Sequence, residues 1–274
     1  MSQGKPYAEV IGDPIAHSKS PVIHNFWLEE LGIDAEYRKT RVAPEDLAGY
    51  FLRRRADPDW LGCNITIPHK IAALDYVDDP GGVRDRIGAI NTVACETGGP
   101  LIGTNTDAGG FLQPLLARGW SGTSAILAGT GGAAQAIGFA LRSVGVTDLT
   151  IVARDAAKGQ TLMDRLGLAG RVQGFDAALP AADLLANSTS LGMVGQPAWT
   201  PDLSPLPDKA MVYDIVYAPL ETPLLAAARK RDLMCIDGLE MLIGQAALAF
   251  DIFFDAQPPR ELDAQLRERL LVPA

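Results

Sequence analysis

The chain has 274 residues, 47% hydrophobic and 21% charged, a globular balance with no signature of disorder and a length that favours two domains over one. Its net charge of −9 argues against nucleic acid or anionic membrane as a main partner, because both need a basic face. Cys63, Cys95 and Cys235 are far apart without a CxxC pair, residues 1–7 do not read as a signal peptide, and no apolar run reaches membrane-spanning length. A soluble cytoplasmic protein without disulfides or a zinc site is therefore expected.

A strand is predicted over residues 7–11, followed by a turn at Gly12-Asp13-Pro14 and a helix opened by Pro21 and running to residue 31. In the loop between them Ser18 and Ser20 stand two apart, so both hydroxyls can face one ligand. The nearby helix N-terminus favours an anion such as a carboxylate. Ser20 alternatively caps that helix. Strands over 35–42 and 61–67, with a helix over 44–56 between them, imply a parallel α/β sheet.

The last of these strands runs into Asn64-Ile65-Thr66-Ile67-Pro68-His69-Lys70. Strict alternation places Ile65 and Ile67 on one side and Asn64 and Thr66 on the other. Pro68 is expected to end the strand and open a helix to residue 76, with Lys70 in its first turn, where the helix dipole disfavours the ammonium. Short strands at 89–93 and 101–103 flank the turn Thr97-Gly98-Gly99-Pro100 as a hairpin. In Thr104-Asn105-Thr106-Asp107, Asn105 and Asp107 share a side if the segment is extended. Asp107 can also cap a helix starting near Gly109.

Residues 124–128 read as a buried strand, followed by Gly129-Thr130-Gly131-Gly132-Ala133-Ala134, a helix to residue 144 and a strand over 149–153. This is the dinucleotide-binding arrangement. Glycines allow the tight turn and let backbone N–H groups reach a pyrophosphate, and the helix N-terminus adds partial positive charge. The tip of the second strand chooses the cofactor, and it reads Ala153-Arg154-Asp155-Ala156-Ala157-Lys158. Arg154 and Lys158 suit the 2′-phosphate of NADP. Asp155 either binds the adenine ribose, as in an NAD enzyme, or caps the helix predicted over 156–166, and capping carries more weight. NADP is the expected cofactor, with NAD the alternative.

Strands at 184–187 and 211–215 bring Thr189, Ser190 and Tyr217 beyond carboxyl ends, where ligands of open parallel sheets bind. After a helix over 224–231 and a strand over 234–236, residues 238–254 form a helix that is apolar nearly all round and expected to be buried, with Gln245 in need of hydrogen-bond partners. A helix over 262–271 closes the chain. His17, His24 and His69 share no metal spacing.

These motifs resemble the shikimate dehydrogenase family, in its order and over nearly the whole chain. The carrying residues are Gly12-Asp13-Pro14-Ile15-Ala16-His17-Ser18-Lys19-Ser20-Pro21, the Asn64 to Lys70 segment, Gly88-Ala89-Ile90-Asn91-Thr92, Asn105-Thr106-Asp107, the glycine turn at 129–134, Asn187-Ser188-Thr189-Ser190-Leu191-Gly192-Met193, and 238–245. The resemblance implies an α/β fold of two domains. One is a parallel-sheet substrate domain of residues 1–106, completed by C-terminal helices over 239–274; the other is a Rossmann domain over 107–238. It implies reversible NADPH-dependent reduction of 3-dehydroshikimate to shikimate, in the route to aromatic amino acids, by a monomer or homodimer without metal.

On matching positions, the resemblance puts Ser18 and Ser20 at the substrate carboxylate. Thr66, Asn91, Asp107, Tyr217 and Gln245 would hold ring hydroxyls or the carboxylate. Lys70 would be the acid/base, with Asp107 as its catalytic partner, and which of the two is the principal base stays open. Gly129, Thr130, Gly131, Gly132 and Ala133 would carry the pyrophosphate, with Arg154, Asp155 and Lys158 at the adenosine end and Ile215 and Gly238 near the nicotinamide. Four residues depart from the family's habit: Ala153 in place of Asn, Asp155 in place of Thr, Gly82 in place of an acid, and Glu240 in place of glycine. The rival readings are an NAD-linked quinate/shikimate dehydrogenase or a shikimate-like paralogue and, from another class, a non-catalytic Rossmann redox sensor. The presence of both Lys70 and Asp107 argues against the sensor.

Overall fold

The structure, a computed structural model, describes residues 4–95 and 99–272. The chain runs through β1 (Tyr7–Gly12), α1 (Ser20–Leu31), β2 (Glu36–Arg41), α2 (Leu47–Arg55), β3 (Trp60–Ile65), a 3-10 helix (Ala72–Tyr76), α3 (Val83–Arg86), β4 (Thr92–Cys95) and β5 (Leu101–Thr104). It continues through α4 (Asp107–Ala117), β6 (Ser124–Ala128), α5 (Gly132–Ser143), β7 (Asp148–Val152), α6 (Ala156–Leu166), β8 (Ala169–Gln173), β9 (Leu184–Asn187) and β10 (Met211–Asp214). The last elements are α7 (Pro223–Arg229), β11 (Met234–Ile236), α8 (Gly238–Phe254) and α9 (Asp263–Leu271). Two compact units result, Met1–Thr106 with Ile243–Ala274, and Asp107–Leu242. Among the described residues no helix is long and apolar enough to cross a membrane.

The sheet of the first unit has the order β2-β1-β3-β4-β5. β1 pairs in parallel with β2 and β3, as strand–helix alternation predicts, and β4 and β5 extend it as an antiparallel hairpin. Thr97 and Gly98 of the predicted hairpin turn lie outside the described residues. β1 carries a fully buried carboxylate, Glu9, which accepts from the Tyr50 hydroxyl (2.7 Å), from Arg54 Nε (2.7 Å) and Nη2 (3.2 Å), and from the Thr40 hydroxyl. A buried carboxylate is tolerated only with such partners, and these bonds tie α2 and β2 to β1. His24 is also fully buried; its ring stacks on Tyr37 with centroids 3.9 Å apart, and burial pushes its pKa down to about 3. It is a neutral core aromatic, packed with Trp27 and with Phe250 and Phe253 of α8.

Past β3 the chain departs from expectation. β3 ends at Ile65, which is buried, whereas Ile67 is 62% exposed, so the alternation does not extend to it. Residues 67–71 form turns that lead into the 3-10 helix, and no α-helix opens at Pro68. The backbone bonds here are not those of a continuing α-helix: the Lys70 carbonyl accepts the Ile90 N–H at 2.8 Å, and the Leu74 N–H donates to the Ile71 carbonyl at 3.2 Å. The helix-dipole argument therefore does not apply to Lys70. His69 turns inward, with Nε2 2.7 Å from the Val42 carbonyl; since a carbonyl only accepts, that nitrogen carries the proton. Ser20 does not cap α1 either, because the helix begins at Ser20 and Lys19 occupies the cap position.

In the second unit all strand pairs are parallel, in the order β11-β10-β9-β6-β7-β8. Counted from β6, this is the doubly wound dinucleotide-binding order, with its switch point between β6 and β9. β9 and β10 are buried along their whole length, and Ile126, Ala128, Val152, Leu185, Val212 and Leu225 belong to one core cluster, as strands covered on both faces require. β8 was not legible as a strand: Ala169 to Arg171 are exposed and only Val172 is a large apolar residue, yet it pairs with β7 along its full length.

Candidate active site

One edge of the first sheet gathers most of the predicted substrate residues. β1 and β3 run parallel, and β5, antiparallel to β4, runs the same way as β3. The segments after Gly12, Ile65 and Thr104, and the residue before Thr92, therefore share that edge. Backbone bonds carry the ladder past the strand ends: Thr66 N–H donates to the Ile11 carbonyl (2.9 Å), Ile65 N–H to that of Asn91 (2.7 Å), and Asn91 N–H to that of Thr104 (3.2 Å). Ser18 and Ser20 follow β1, Thr66 and Lys70 follow β3, and Asn91 precedes β4. Ser20 is buried, while Ser18, Thr66 and Lys70 are half-buried.

Asn91 is the hub of this edge. Its Oδ1 accepts the Thr106 N–H (2.7 Å) and the Thr92 hydroxyl (3.1 Å), and its Nδ2 donates to Thr106 Oγ1 (2.9 Å) and to Gln245 Oε1 (3.3 Å). Asn64 lies behind it, accepting the Tyr37 hydroxyl (2.6 Å) and donating to Thr92 Oγ1 (3.0 Å) and the Asn91 carbonyl (3.2 Å). Backbone groups set both amide orientations, since the Asn91 carbonyl only accepts and the Thr106 N–H only donates. The structure thus joins Asn91 to Gln245, and it adds Thr92 and Thr106. In the sequence these two stand only within the motifs Gly88-Ala89-Ile90-Asn91-Thr92 and Asn105-Thr106-Asp107.

The second unit assembles its own edge at the carboxyl ends of β6, β7, β9 and β10. Gly129 has φ +112, and a Cβ there would come within 2.5 Å of Ser188 Oγ, so the turn after β6 requires glycine. The N-cap of α5 is Gly131, which makes no side-chain cap to the first-turn N–H groups, an arrangement common at anion-binding helix starts. Beyond β9 and β10, buried Asn187 accepts the Thr189 hydroxyl (2.7 Å) and donates to Asp214 Oδ1 (2.9 Å), and Thr222 donates to Asp214 Oδ2 (2.7 Å). Burial raises the Asp214 carboxyl pKa. These bonds fix the loops that present Thr189, Ile215 and Tyr217; Tyr217 is half-buried, and desolvation raises its pKa. Gly238, the first residue of α8, packs on the backbone past β10: a Cβ would lie 2.2 Å from the Ile215 carbonyl oxygen.

At the tip of β7, Arg154, Asp155 and Lys158 are all exposed. Asp155 Oδ1 accepts the Ala157 and Lys158 N–H groups at 3.0 and 3.2 Å, so the carboxylate is the N-cap of α6. Asp155→Ala is accordingly expected to cost about 1 kcal/mol, or roughly 2–4 °C in Tm, and to leave the preference between NADP and NAD unchanged. Thermal melts with kinetics on both cofactors test this, and a changed preference would show that Asp155 also reads the cofactor.

Residues 10–93 match the shikimate dehydrogenase substrate binding domain, and residues 238–265 the shikimate 5'-dehydrogenase C-terminal domain. A shikimate dehydrogenase (NADP(+)) of Sphingopyxis alaskensis is 54% identical over 266 residues, covering 97% of each chain. The chain belongs to the shikimate dehydrogenase family. A solved shikimate 5-dehydrogenase from Thermus thermophilus, in complex with NADP(H) and shikimate, is 36% identical with a TM-score of 0.85, over 97% of this chain and 100% of that one. A quinate dehydrogenase from Corynebacterium glutamicum in complex with NAD is 30% identical with a TM-score of 0.87, over 97% of this chain and 99% of the other.

Two departures from the shikimate dehydrogenase pattern acquire local explanations. Gly82 stands at the N-cap of α3, where capping is done instead by Asp79, whose carboxylate accepts the Val83 and Arg84 N–H groups at 2.7 Å each. Glu240 forms a two-pronged pair with Arg118, Nη1 to Oε2 at 2.8 Å and Nη2 to Oε1 at 2.9 Å. That pair joins the end of α4 to the first turn of α8, a connection between residues far apart in the sequence.

Proposed function

We propose that this chain is an NADP-dependent shikimate dehydrogenase, interconverting 3-dehydroshikimate and shikimate in the cytoplasm. What supports the reading is that the segments bearing Ser18, Ser20, Thr66, Lys70 and Asn91 adjoin one end of the first sheet, with Gln245 of α8 bonded to Asn91. In this reading the first unit binds the substrate and the second binds the cofactor. The Ser18 and Ser20 hydroxyls donate to the ring carboxylate, with the Tyr217 phenol as a further donor, while Thr66, Asn91 and Gln245 read ring hydroxyls. The Asn91 to Gln245 contact, long at 3.3 Å, is the one a ring hydroxyl would exchange for its own.

Lys70 as ammonium gives a proton to the oxygen that becomes the C3 hydroxyl and stabilises the negative charge developing there. In the reverse direction the neutral amine takes that proton back, with Asp107 as the second titratable group of the pair. Bound NADPH supplies the hydride of the reduction. The cofactor would be held by the turn Gly129, Thr130, Gly131, Gly132 and Ala133, by Arg154 and Lys158 at the adenosine phosphate, and by Ile215 and Gly238 beside the nicotinamide. The residues present fit that role: the glycine turn leaves no room for a Cβ at 129, and two exposed cations stand at the tip of β7.

A second reading, an NAD-linked quinate/shikimate enzyme, is kept because the quinate dehydrogenase shares the fold at 30% identity. A spectrophotometric assay crossing shikimate and quinate with NADP+ and NAD+ separates the two. Turnover is expected with shikimate and NADP+ above every other pair; activity confined to quinate and NAD+ would overturn the proposal.

A further inference from the structure

Glu240 stands in the first turn of α8, two residues past Gly238. A carboxylate there is favoured by the helix dipole. Asp237 already fills the cap position, its Oδ1 accepting the Leu239 N–H at 3.0 Å. The turn therefore carries two acidic side chains beside the backbone contact between Gly238 and Ile215. Across from it, Arg118 is held at the end of α4, where its Nη1 also donates to the Pro114 carbonyl at 3.0 Å. α4 is itself anchored by Phe111, which stacks on Tyr213 of β10 with centroids 4.5 Å apart and planes at 11°. The pair is only partly exposed, 30% for the Arg118 side chain and 26% for that of Glu240, so water does not screen it fully.

We propose that Arg118 is a positioning and charge-compensating partner for Glu240, holding the first turn of α8 and cancelling the carboxylate's field at the nicotinamide end of the cofactor site. The proposal rests on the reading above, in which Gly238 and Ile215 lie beside the nicotinamide. The oxidised ring carries a positive charge and the reduced ring does not, so an uncompensated charge nearby changes their relative binding. An unmasked Glu240 favours NADP+; an unmasked Arg118 disfavours it. The pair lets this chain carry an acid at position 240 without biasing the site toward the oxidised form.

The test measures dissociation constants of NADP+ and NADPH by fluorescence titration of the full chain, for wild type, Arg118→Gln, Glu240→Gln and the exchanged Arg118→Glu/Glu240→Arg. The ratio of the NADP+ constant to the NADPH constant is expected to fall about threefold in Arg118→Gln and to rise about threefold in Glu240→Gln. It should stay near wild type in the exchanged pair, and both shifts should shrink near ~0.5 M salt. Ratios that move the same way in both single variants would overturn the proposal, as would unchanged ratios with only a lower Tm. If Arg118→Gln does not fold, the sign of the Glu240→Gln shift decides alone. A folded wild-type chain that binds neither cofactor form would instead overturn the cofactor reading, and this proposal with it.

Discussion

Lys70→Ala is expected to lower kcat by about 10²–10⁴-fold while the KM for shikimate changes little. The split follows from the division of labour in the proposed site. Ser18, Ser20, Asn91, Gln245 and Tyr217 would supply the substrate contacts, whereas the proton delivered as the carbonyl is reduced would come from the Lys70 amine. Loss of a group that acts mainly in the transition state lowers kcat and kcat/KM together. Lys70→Arg sharpens the test, because a guanidinium keeps the charge and cannot cycle a proton. It should remain far below wild type in both directions, and recovery of activity with arginine would reduce the role of Lys70 to electrostatics. Comparison with Asp107→Asn and the double variant addresses the principal base. If the two side chains act as one unit, the double variant loses little more than the worse single one. A Lys70→Ala enzyme with kcat near wild type would remove Lys70 from the chemistry.

The segment carrying Lys70 also shows where sequence reasoning stops. Thr66 and Lys70 follow β3, but the strand ends at Ile65 rather than Ile67, and the helix predicted from Pro68 is replaced by turns and the 3-10 helix Ala72–Tyr76. The Lys70 carbonyl accepts the Ile90 N–H, a partner from a segment twenty residues later in the chain and invisible to local pattern. The same limit hides Glu9 with Arg54, and Arg118 with Glu240, since ion pairs between distant positions have no local periodicity. The second unit was more legible: β6, α6, β9 and β11 fall where buried apolar runs, glycine punctuation and the Asp155 cap place them. Its one missed strand, β8, is an exposed edge whose pairing with β7 substitutes for an apolar pattern of its own. The family motif marks Asn91 as a candidate, whereas its bonds to Thr106 and Gln245 join distant segments and leave no local signal.

Arg154→Ala is expected to lower kcat/KM for NADP+ by about 10–100-fold while kcat/KM for NAD+ stays within about threefold. Arg154 is exposed at the tip of β7, and Lys158 stands in the first turn of α6, so two cations are available to a 2′-phosphate, a group NAD lacks. A hydrogen bond to a charged group is worth more than a neutral one, and solvent exposure brings the expected loss to the lower part of that range. Asp155 does not offset these cations at full strength, because its carboxylate is engaged with the Ala157 and Lys158 N–H groups. Arg154→Lys should recover part of the loss, since an ammonium keeps the charge and lacks the planar fork. Adding Lys158→Ala to Arg154→Ala should bring the two cofactors close to parity. Steady-state kinetics on both cofactors decide the matter: equal losses for NADP+ and NAD+ would mean that Arg154 packs on the adenosine common to both and that the phosphate is read elsewhere.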